Sequence, residues 1–499
     1  MADKLVCYRE GQEPKFPSSY DVIDRKTLNK TDIMVNNNKF YNLEIQVAPS
    51  GEARIYTVYG RVGAGGAKEY RVCTDRAHAE KEAEKLIKSK NKKGYELVKL
   101  SKSDIGSETG KAKIEAGVSE ETLKRAGVKI ESAEPEGSKL KPQVADLVRT
   151  WFGITADFIE LNLDTKKCPL GQLSLDQIAK AKDILEEARL ILHKKKKDKG
   201  ELNRLTSLYY SNIPYVLPRK IDADLLRFDD DPKIDNAFDI LDIFADAKNA
   251  EKVISKKSAV DAQYGTLKAH IDWVDPADPT WKWLDELMHS TRASNHRGLG
   301  KLKTHKIFKV VRDKEDKLFL EAAEKIAKEC GKFNPSEVYA HHLAKRPDLD
   351  KDMLALYKAA NVCPGWHGTR RANMVGITTK GLLIRPSGVA HAGSMYGDGI
   401  YWASNSTKSI NYCDVNGSHW VQGSNKTAYL FLADVALGNQ EMASGSHFYT
   451  KNKIKPNHSV WAKAGKGGVV NDEFITYTAS GPGQQHHIRY IIEFETQAK

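Results

Sequence analysis

In the stretch CPGWHGTRRANMVGI (363–377), one histidine, His367, stands between a tryptophan and a glycine, after a proline and ahead of two arginines. Two later segments hold residues of similar chemical interest. YGDGIYWASNSTKSINYC (396–413) brings Tyr401, Lys408, Ser409 and Tyr412, and NDEFITY (471–477) brings Glu473. Taken singly, a histidine is ordinarily a satisfied polar group and a tyrosine a core aromatic. Glu473 is different, because the strand-like pattern EFITY puts a carboxylate at the edge of an apolar sheet without structural need, and a pocket explains it better.

The common catalytic signatures are absent. There is no G-x-x-x-x-G-K-[ST], H-E-x-x-H or G-x-S-x-G, and GRVGAGGAK neither fits G-x-G-x-x-G nor opens a helix directly. The six cysteines (Cys7, Cys73, Cys168, Cys330, Cys363, Cys413) are scattered singly, without zinc spacing, which suits reduced thiols in an intracellular protein and no metal. The pairs His341–His342 and His486–His487 lack companions at ligand spacing and are expected to be surface or structural residues.

At 499 residues the chain is too long for one core and suits several domains. Hydrophobic residues at 40%, charged residues at 29% and a mean hydropathy of -0.54 describe a soluble, globular chain able to bury sizeable cores. The net charge of +12 fits either a polyanionic partner such as nucleic acid or a lysine-rich solvated surface. The start MADKLVCYREG has no apolar leader and no run of eighteen apolar residues occurs, so neither secretion nor a membrane partner is expected.

The elements that must position these residues follow from periodicity. FYNLEIQV and ARIYTVYGRVG alternate at strand length about APSGE, which predicts a hairpin, and DRAHAEKEAEKLIKSK (75–90) predicts a capped helix. From about 100 to 139 the chain reads as a linker rich in Ser, Gly, Glu and Lys, with a short helix allowed at SEETLKRAG. PQVADLVRTWFGI, LSLDQIAKAKDILEEARLIL and AFDILDIFADAKNAEKVI then predict a helical bundle. HKKKKDKGE is either a nuclear localisation signal or the solvated end of a helix. KIFKVVR, TAYLFLADVAL, EFITYT and IRYIIEFE mark a final strand-rich domain, with helices at DKLFLEAAEKIAKECGKF and LDKDMLALYKAAN ahead of the histidine stretch.

The three C-terminal segments, in this order and spacing, resemble the catalytic domain of the poly(ADP-ribose) polymerases, in which H-G-[ST], G-x-G-I-Y-[FW]-A with K-S-x-N-Y, and N-E-[YF] supply a histidine, a tyrosine and a glutamate. PLGQLSLDQI (169–178) and LTSLYYSNIP (205–214) resemble the helical regulatory domain of the DNA-dependent members, and YGRVGAGG resembles their W-G-R segment, with Tyr59 in place of the tryptophan. The resemblance runs from about 25 to 495. It implies a multidomain α+β architecture: an N-terminal arm (1–24), a small α+β W-G-R-like domain (25–105), a linker (106–138), an all-α helical regulatory bundle (139–256) and a mixed, β-rich ADP-ribosyltransferase domain (257–499). The helices at about 316 to 360 form an insertion before the histidine, and no zinc-finger cysteines precede the first domain.

By the same resemblance, NAD+ is the substrate and ADP-ribose donor. The backbone of Gly368 and the hydroxyl of Ser409 clamp its carboxamide, a glycine allowing close approach and a hydroxyl donating or accepting. Tyr412 and Tyr401 sandwich the nicotinamide ring. His367 bonds the adenosine-side ribose, Thr369 supports that region, and Glu473 bonds the nicotinamide ribose and orients or deprotonates the acceptor. Lys408 assists Glu473 electrostatically. The loop at 381–399 falls at the donor-site loop, with Leu383 where a basic residue is expected and an arginine at 385. Tyr59, Gly60 and Arg61 are the expected DNA contacts, with Arg71, Tyr70 and the lysines at 88, 90, 92 and 93 as a phosphate-facing patch or, for those lysines, a solvated helix end.

The implied function is transfer of ADP-ribose to proteins, the chain itself included, and extension into poly(ADP-ribose), stimulated by DNA strand breaks that relieve a block by the helical domain. Two alternatives carry the same motifs: a mono-ADP-ribosyltransferase and a DNA-end-binding scaffold that no longer turns over. The implied location is the nucleus in a eukaryote and the nucleoid-associated cytoplasm in a bacterium.

Overall fold

The computed structural model describes residues 5–18, 20–98, 138–162, 174–213, 215–254, 260–330, 346–384, 394–421 and 423–497. These fall into two compact units, Met1–Glu134 with Ala156–Ser258 and Pro135–Thr155 with Ala259–Lys499. The expected linker, the start of PLGQLSLDQI, His341–His342 and position 385 lie outside the described residues.

In the first unit, a six-stranded sheet runs in the order Tyr8–Arg9, Ala67–Cys73, Ala53–Arg61, Asn37–Val47, Asp21–Asp32 and Glu96–Val98. Alternation in ARIYTVYGR sends Ala53, Ile55 and Thr57 inward, where the first two join Leu28, Leu43 and Ile45 in a core closed by Ala79 and Ala83 of the helix Arg76–Lys92. Asp75 caps that helix by accepting the His78 N–H at 2.8 Å. Ahead of the hairpin, Tyr8 pairs with Tyr70, and the strand Asp21–Asp32 joins the sheet beside Asn37–Val47. A two-residue strand is too short for alternation to reveal.

The same unit holds the helices Leu175–Leu192, Lys199–Asn212 and Asp231–Ile254. Ser174 and Asp198 cap the first two, accepting from Gln177 and Glu201. The sheet edge and the bundle share hydrogen bonds: the Thr31 N–H donates to the Ser211 hydroxyl at 2.8 Å, and the Asn38 amide donates to the Tyr215 carbonyl at 3.2 Å. Ile33 is buried in the same apolar cluster as Leu205, Tyr209 and Phe244.

In the second unit, nine strands run Gln440–Met442, Ser459–Ala462, Glu473–Thr476, Ile400–Ala403, Val362–Gly368, Thr427–Ala436, His486–Gln497, Lys301–Val311 and His270–Trp273. Neighbours are antiparallel except the first pair. The strand Thr427–Ala436 is buried along nearly its whole length, as a central strand covered on both faces must be. The helix Pro142–Asn162 begins in this unit, where its buried Trp151 meets Tyr429 edge-on at 5.6 Å.

The helices Asp313–Cys330 and Lys351–Ala359, which fall at the expected insertion, share a core of Phe319, Ala323, Ile326 and Tyr357 with Val362 and Ala436. A buried ionic cluster lies behind them. Arg346 pairs with both Asp434 and Asp348, Arg489 reaches Asp348 at 3.1 Å, and the Tyr357 hydroxyl donates to Asp434 at 2.9 Å. Burial pulls the Asp434 carboxyl upward, but Arg346, His487 and Arg489 hold it well below the usual range.

His486 and His487, expected as surface or structural residues, are both fully inside the sheet. Burial holds His486 down to about 3. Burial also opposes charge on His487, yet hydrogen bonds to Asp316 at 2.7 Å and Asp434 at 3.3 Å raise it above the ordinary histidine value. The stabilisation from His487 is complete below its unfolded value of about 6.5 and is lost as pH rises through its folded value. His486 works in reverse, because the unfolded chain takes up its proton as pH falls below about 6.5. Urea midpoints measured across pH should therefore decline on both sides of near-neutral pH, and His487→Asn should flatten the alkaline side while leaving the acid side in place.

Candidate active site

Antiparallel pairing brings the three motif segments together. Trp366 pairs with Ala403 and Ala403 with Glu473, so the histidine, tyrosine and glutamate strands lie side by side in one sheet. Main-chain approach fixes the floor. A Cβ on Gly368 would fall 1.8 Å from the Ser409 carbonyl oxygen, so no side chain fits there without separating the strand from the helix Ser406–Ile410. The buried Ser409 hydroxyl donates to the Trp366 carbonyl at 2.9 Å, which leaves its lone pairs for an incoming N–H.

His367 Nδ1 lies 3.2 Å from the Tyr401 carbonyl oxygen. A carbonyl only accepts, so Nδ1 carries a proton, and in the neutral ring Nε2 is then an acceptor suited to a ribose hydroxyl. The Tyr401 hydroxyl accepts the Tyr396 N–H at 2.9 Å and donates to the Gly397 carbonyl at 2.8 Å. Burial, with Tyr477 and Glu473 nearby, holds that phenol well above the usual range, so it stays protonated and is not a base. Thr369 accepts from the Asn373 amide at 2.8 Å, which orients the turn after the strand.

Glu473 Oε1 is 2.5 Å from Lys408 Nζ, and both side chains are largely buried. The ammonium also donates to the Asn471 carbonyl at 2.9 Å. Burial pulls Lys408 below the usual lysine range, while Glu473 pulls it back. The pair therefore holds a carboxylate in a confined place where a developing positive charge would be stabilised. Tyr412 is 40% exposed and stacks on Trp420, ring centres 6.2 Å apart at 23°. Leu383 is 59% exposed.

Two residues here escaped the sequence reading. His296 contacts the Thr407 hydroxyl at 3.0 Å and the Asn471 amide at 3.3 Å, next to the Lys408 and Glu473 pair. Trp420 backs Tyr412 from a loop held by the Asn411 carbonyl and side chain. A lone histidine and an exposed tryptophan carry no spacing signal, so only the fold could place them. Among the described residues no group of three or more metal-ligating side chains forms a metal site, and no helix is long and apolar enough to cross a membrane.

In the first unit, the expected DNA contacts make these bonds within the domain. The partly buried Tyr59 stacks on Tyr41 at 6.1 Å, and its hydroxyl donates to Glu69 at 2.8 Å. Lys90 sits 3.9 Å above the Tyr41 ring, not on a solvated helix end. Gly60 lies where a Cβ would meet the Gly65 carbonyl at 3.0 Å. Arg61 donates to the Pro218 carbonyl at 2.7 Å and the Asn36 carbonyl at 3.1 Å, tying the hairpin to the segment after the helix Lys199–Asn212.

Three family models match the chain: the WGR domain over residues 24–102, the poly(ADP-ribose) polymerase regulatory domain over 138–272, and the poly(ADP-ribose) polymerase catalytic domain over 280–476. The human protein mono-ADP-ribosyltransferase PARP3 is 28% identical over 83% of this chain and 72% of its own length. Human poly(ADP-ribose) polymerase 2 is 26% identical over 96% of this chain and 74% of its own. The poly(ADP-ribose) polymerase of Drosophila melanogaster is 26% identical over 91% of this chain, which spans only 41% of that relative.

Proposed function

Because this chain belongs to the poly(ADP-ribose) polymerase family and carries its NAD+-dependent ADP-ribosyltransferase domain, we propose that it builds poly(ADP-ribose) on protein acceptors, itself among them, when its W-G-R-like domain meets DNA strand breaks. The observation that carries this reading is Glu473, a carboxylate held by Lys408 at 2.5 Å beside the strand of Tyr401. Its location follows its partner: the nucleus in a eukaryote, the nucleoid-associated cytoplasm in a bacterium.

The residues divide the work. Gly368 main chain and the Ser409 hydroxyl hold the carboxamide of NAD+, with Tyr401 and Tyr412 against the nicotinamide ring. His367 accepts from the adenosine-side ribose hydroxyl. Glu473 accepts from the 2'-hydroxyl of the nicotinamide ribose, and its charge favours the oxocarbenium-like state at C1' as the C–N bond lengthens. Neutral nicotinamide leaves with the electron pair of that bond. An acceptor oxygen forms the new C1'–O bond and passes its proton to Glu473, from which it returns to water.

A mono-ADP-ribosyltransferase is the second reading, favoured by the name of the human relative matched over most of this chain. Label transfer from NAD+ with and without nicked DNA separates the two. Ladders that lengthen when DNA is added support the proposal. A single unextended band supports mono-transfer, and DNA binding without any label would leave only a scaffold.

A further inference from the structure

His486 is fully buried, yet neither of its ring nitrogens makes a hydrogen bond to a described residue. Leaving a polar group unpartnered in the interior costs about 1–3 kcal/mol, which an apolar side chain would avoid. The ring stands between two parts of the second unit. On one side it packs against the Trp402 indole, ring centres 5.1 Å apart at 51°, and Trp402 in turn meets the His367 ring edge-on at 5.8 Å. On the other side Nε2 lies 4.0 Å from the Glu315 carboxylate. Trp402 is itself fixed, because its indole N–H donates to the Thr476 hydroxyl at 3.0 Å, and a Cβ on Gly365 would fall 3.0 Å from the indole.

Glu315 stands in the first turn of the helix Asp313–Cys330 and is only 6% exposed. The Gln484 amide donates to it at 3.2 Å and to the His486 carbonyl at 2.9 Å, which ties the carboxylate to the histidine's main chain. Arg312, immediately before the helix, donates to Glu315 at 3.4 Å and to the Thr379 carbonyl at 3.3 Å. Thr379 belongs to the helix Met374–Lys380, which follows the strand of His367 through the turn at 369–373. Just beyond it, Gly381 has a φ of +85°, and a Cβ there would fall 2.8 Å from the Arg312 guanidinium. These contacts close a circuit. It runs from His367 along the chain to the helix Met374–Lys380, by hydrogen bonds to Arg312, Glu315 and Gln484, and by packing through His486 and Trp402 back to the His367 imidazole.

We propose that Arg312 and Glu315 are positioning residues for His367, so that the start of the inserted helix sets how well the site holds NAD+. They act on that histidine from both ends: on its main chain through the helix Met374–Lys380, and on its ring through His486 and Trp402. The role rests on the transferase reading above, in which His367 binds the adenosine-side ribose and takes no part in bond cleavage. Loosening the ring therefore weakens the hold on NAD+ and leaves the later step alone, whereas a group acting on the chemistry would lower turnover.

The test measures nicotinamide release against NAD+ concentration for wild type, Glu315→Ala, Glu315→Gln, Arg312→Met and Gly381→Ala, with melting temperature alongside. Glu315→Ala and Arg312→Met should raise the KM for NAD+ roughly tenfold and leave kcat within about threefold, as misplacing a binding group does. Glu315→Gln keeps an oxygen that accepts from Gln484 and Arg312, so it should restore the KM to within about threefold of wild type. Gly381→Ala pushes Arg312 aside without touching a buried carboxylate, and its rise in KM decides the matter if the other variants do not fold. An unchanged KM in folded variants, or a fall in kcat without a rise in KM, overturns the assignment and leaves the transferase reading intact. If wild type releases no nicotinamide, that reading fails, and amide hydrogen exchange over 362–381 decides the brace by itself: faster exchange in Arg312→Met upholds it, and exchange equal to wild type refutes it.

Discussion

Glu473→Gln should lower ADP-ribose transfer by roughly a thousandfold, within the span for removing a positioned acid–base group. The amide keeps the shape and one accepting oxygen, so the KM for NAD+ should move only a few-fold. What disappears is the negative charge near C1' and the site that receives the acceptor proton. The substitution also leaves Lys408 buried without its paired carboxylate, and its ammonium should give up its proton more readily. Nicotinamide release under saturating NAD+, with melting temperature as a folding control, checks the prediction. A loss below tenfold with intact folding would assign the chemistry to another group.

Arg346→Met should destabilise the second unit by about 3 kcal/mol, because it leaves two buried carboxylates, Asp434 and Asp348, with Arg489 as the one remaining guanidinium among the described residues. For a unit of this size, that cost corresponds to a fall in melting temperature on the order of 10 °C. Arg346→Lys keeps the charge but not the planar fork that meets two carboxylates at once, so it should cost roughly half as much. Calorimetry of the three proteins gives the order. If methionine matched arginine, the cluster would add no net stability over a well-packed apolar replacement.

Legibility in the sequence tracked the range of the forces involved. Local patterns made the hairpin about APSGE, the Asp75-capped helix and the long helices at 142, 175 and 231 readable, because each follows from periodicity and capping within one segment. The motif residues His367, Tyr401, Ser409 and Glu473 were readable through resemblance, and pairing in the sheet brings their strands together. Residues whose roles depend on distant partners were not. Arg346 meets Asp434 across 88 positions, and nothing near either residue announces the other. The bonds of Tyr59 to Glu69, Tyr41 and Lys90 likewise depend on neighbouring elements. The two-residue strand at Tyr8 had too few residues to show a period at all.

The close contact between Gly368 and Ser409 bears on drug resistance. On the proposed function, an inhibitor that gripped the carboxamide site through main-chain atoms would present nothing there for a point mutation to delete, since every residue keeps its N–H and carbonyl except proline. Enlarging Gly368 would push a side chain onto the Ser409 carbonyl and disable the host protein along with the inhibitor. Escape is left to the ring walls. Tyr401 is tied through its hydroxyl to Tyr396 and Gly397, whereas Tyr412 is 40% exposed and leans on Trp420. If Tyr412 walls the nicotinamide as proposed, the aromatic pair at 412 and 420 is the yielding side of that site.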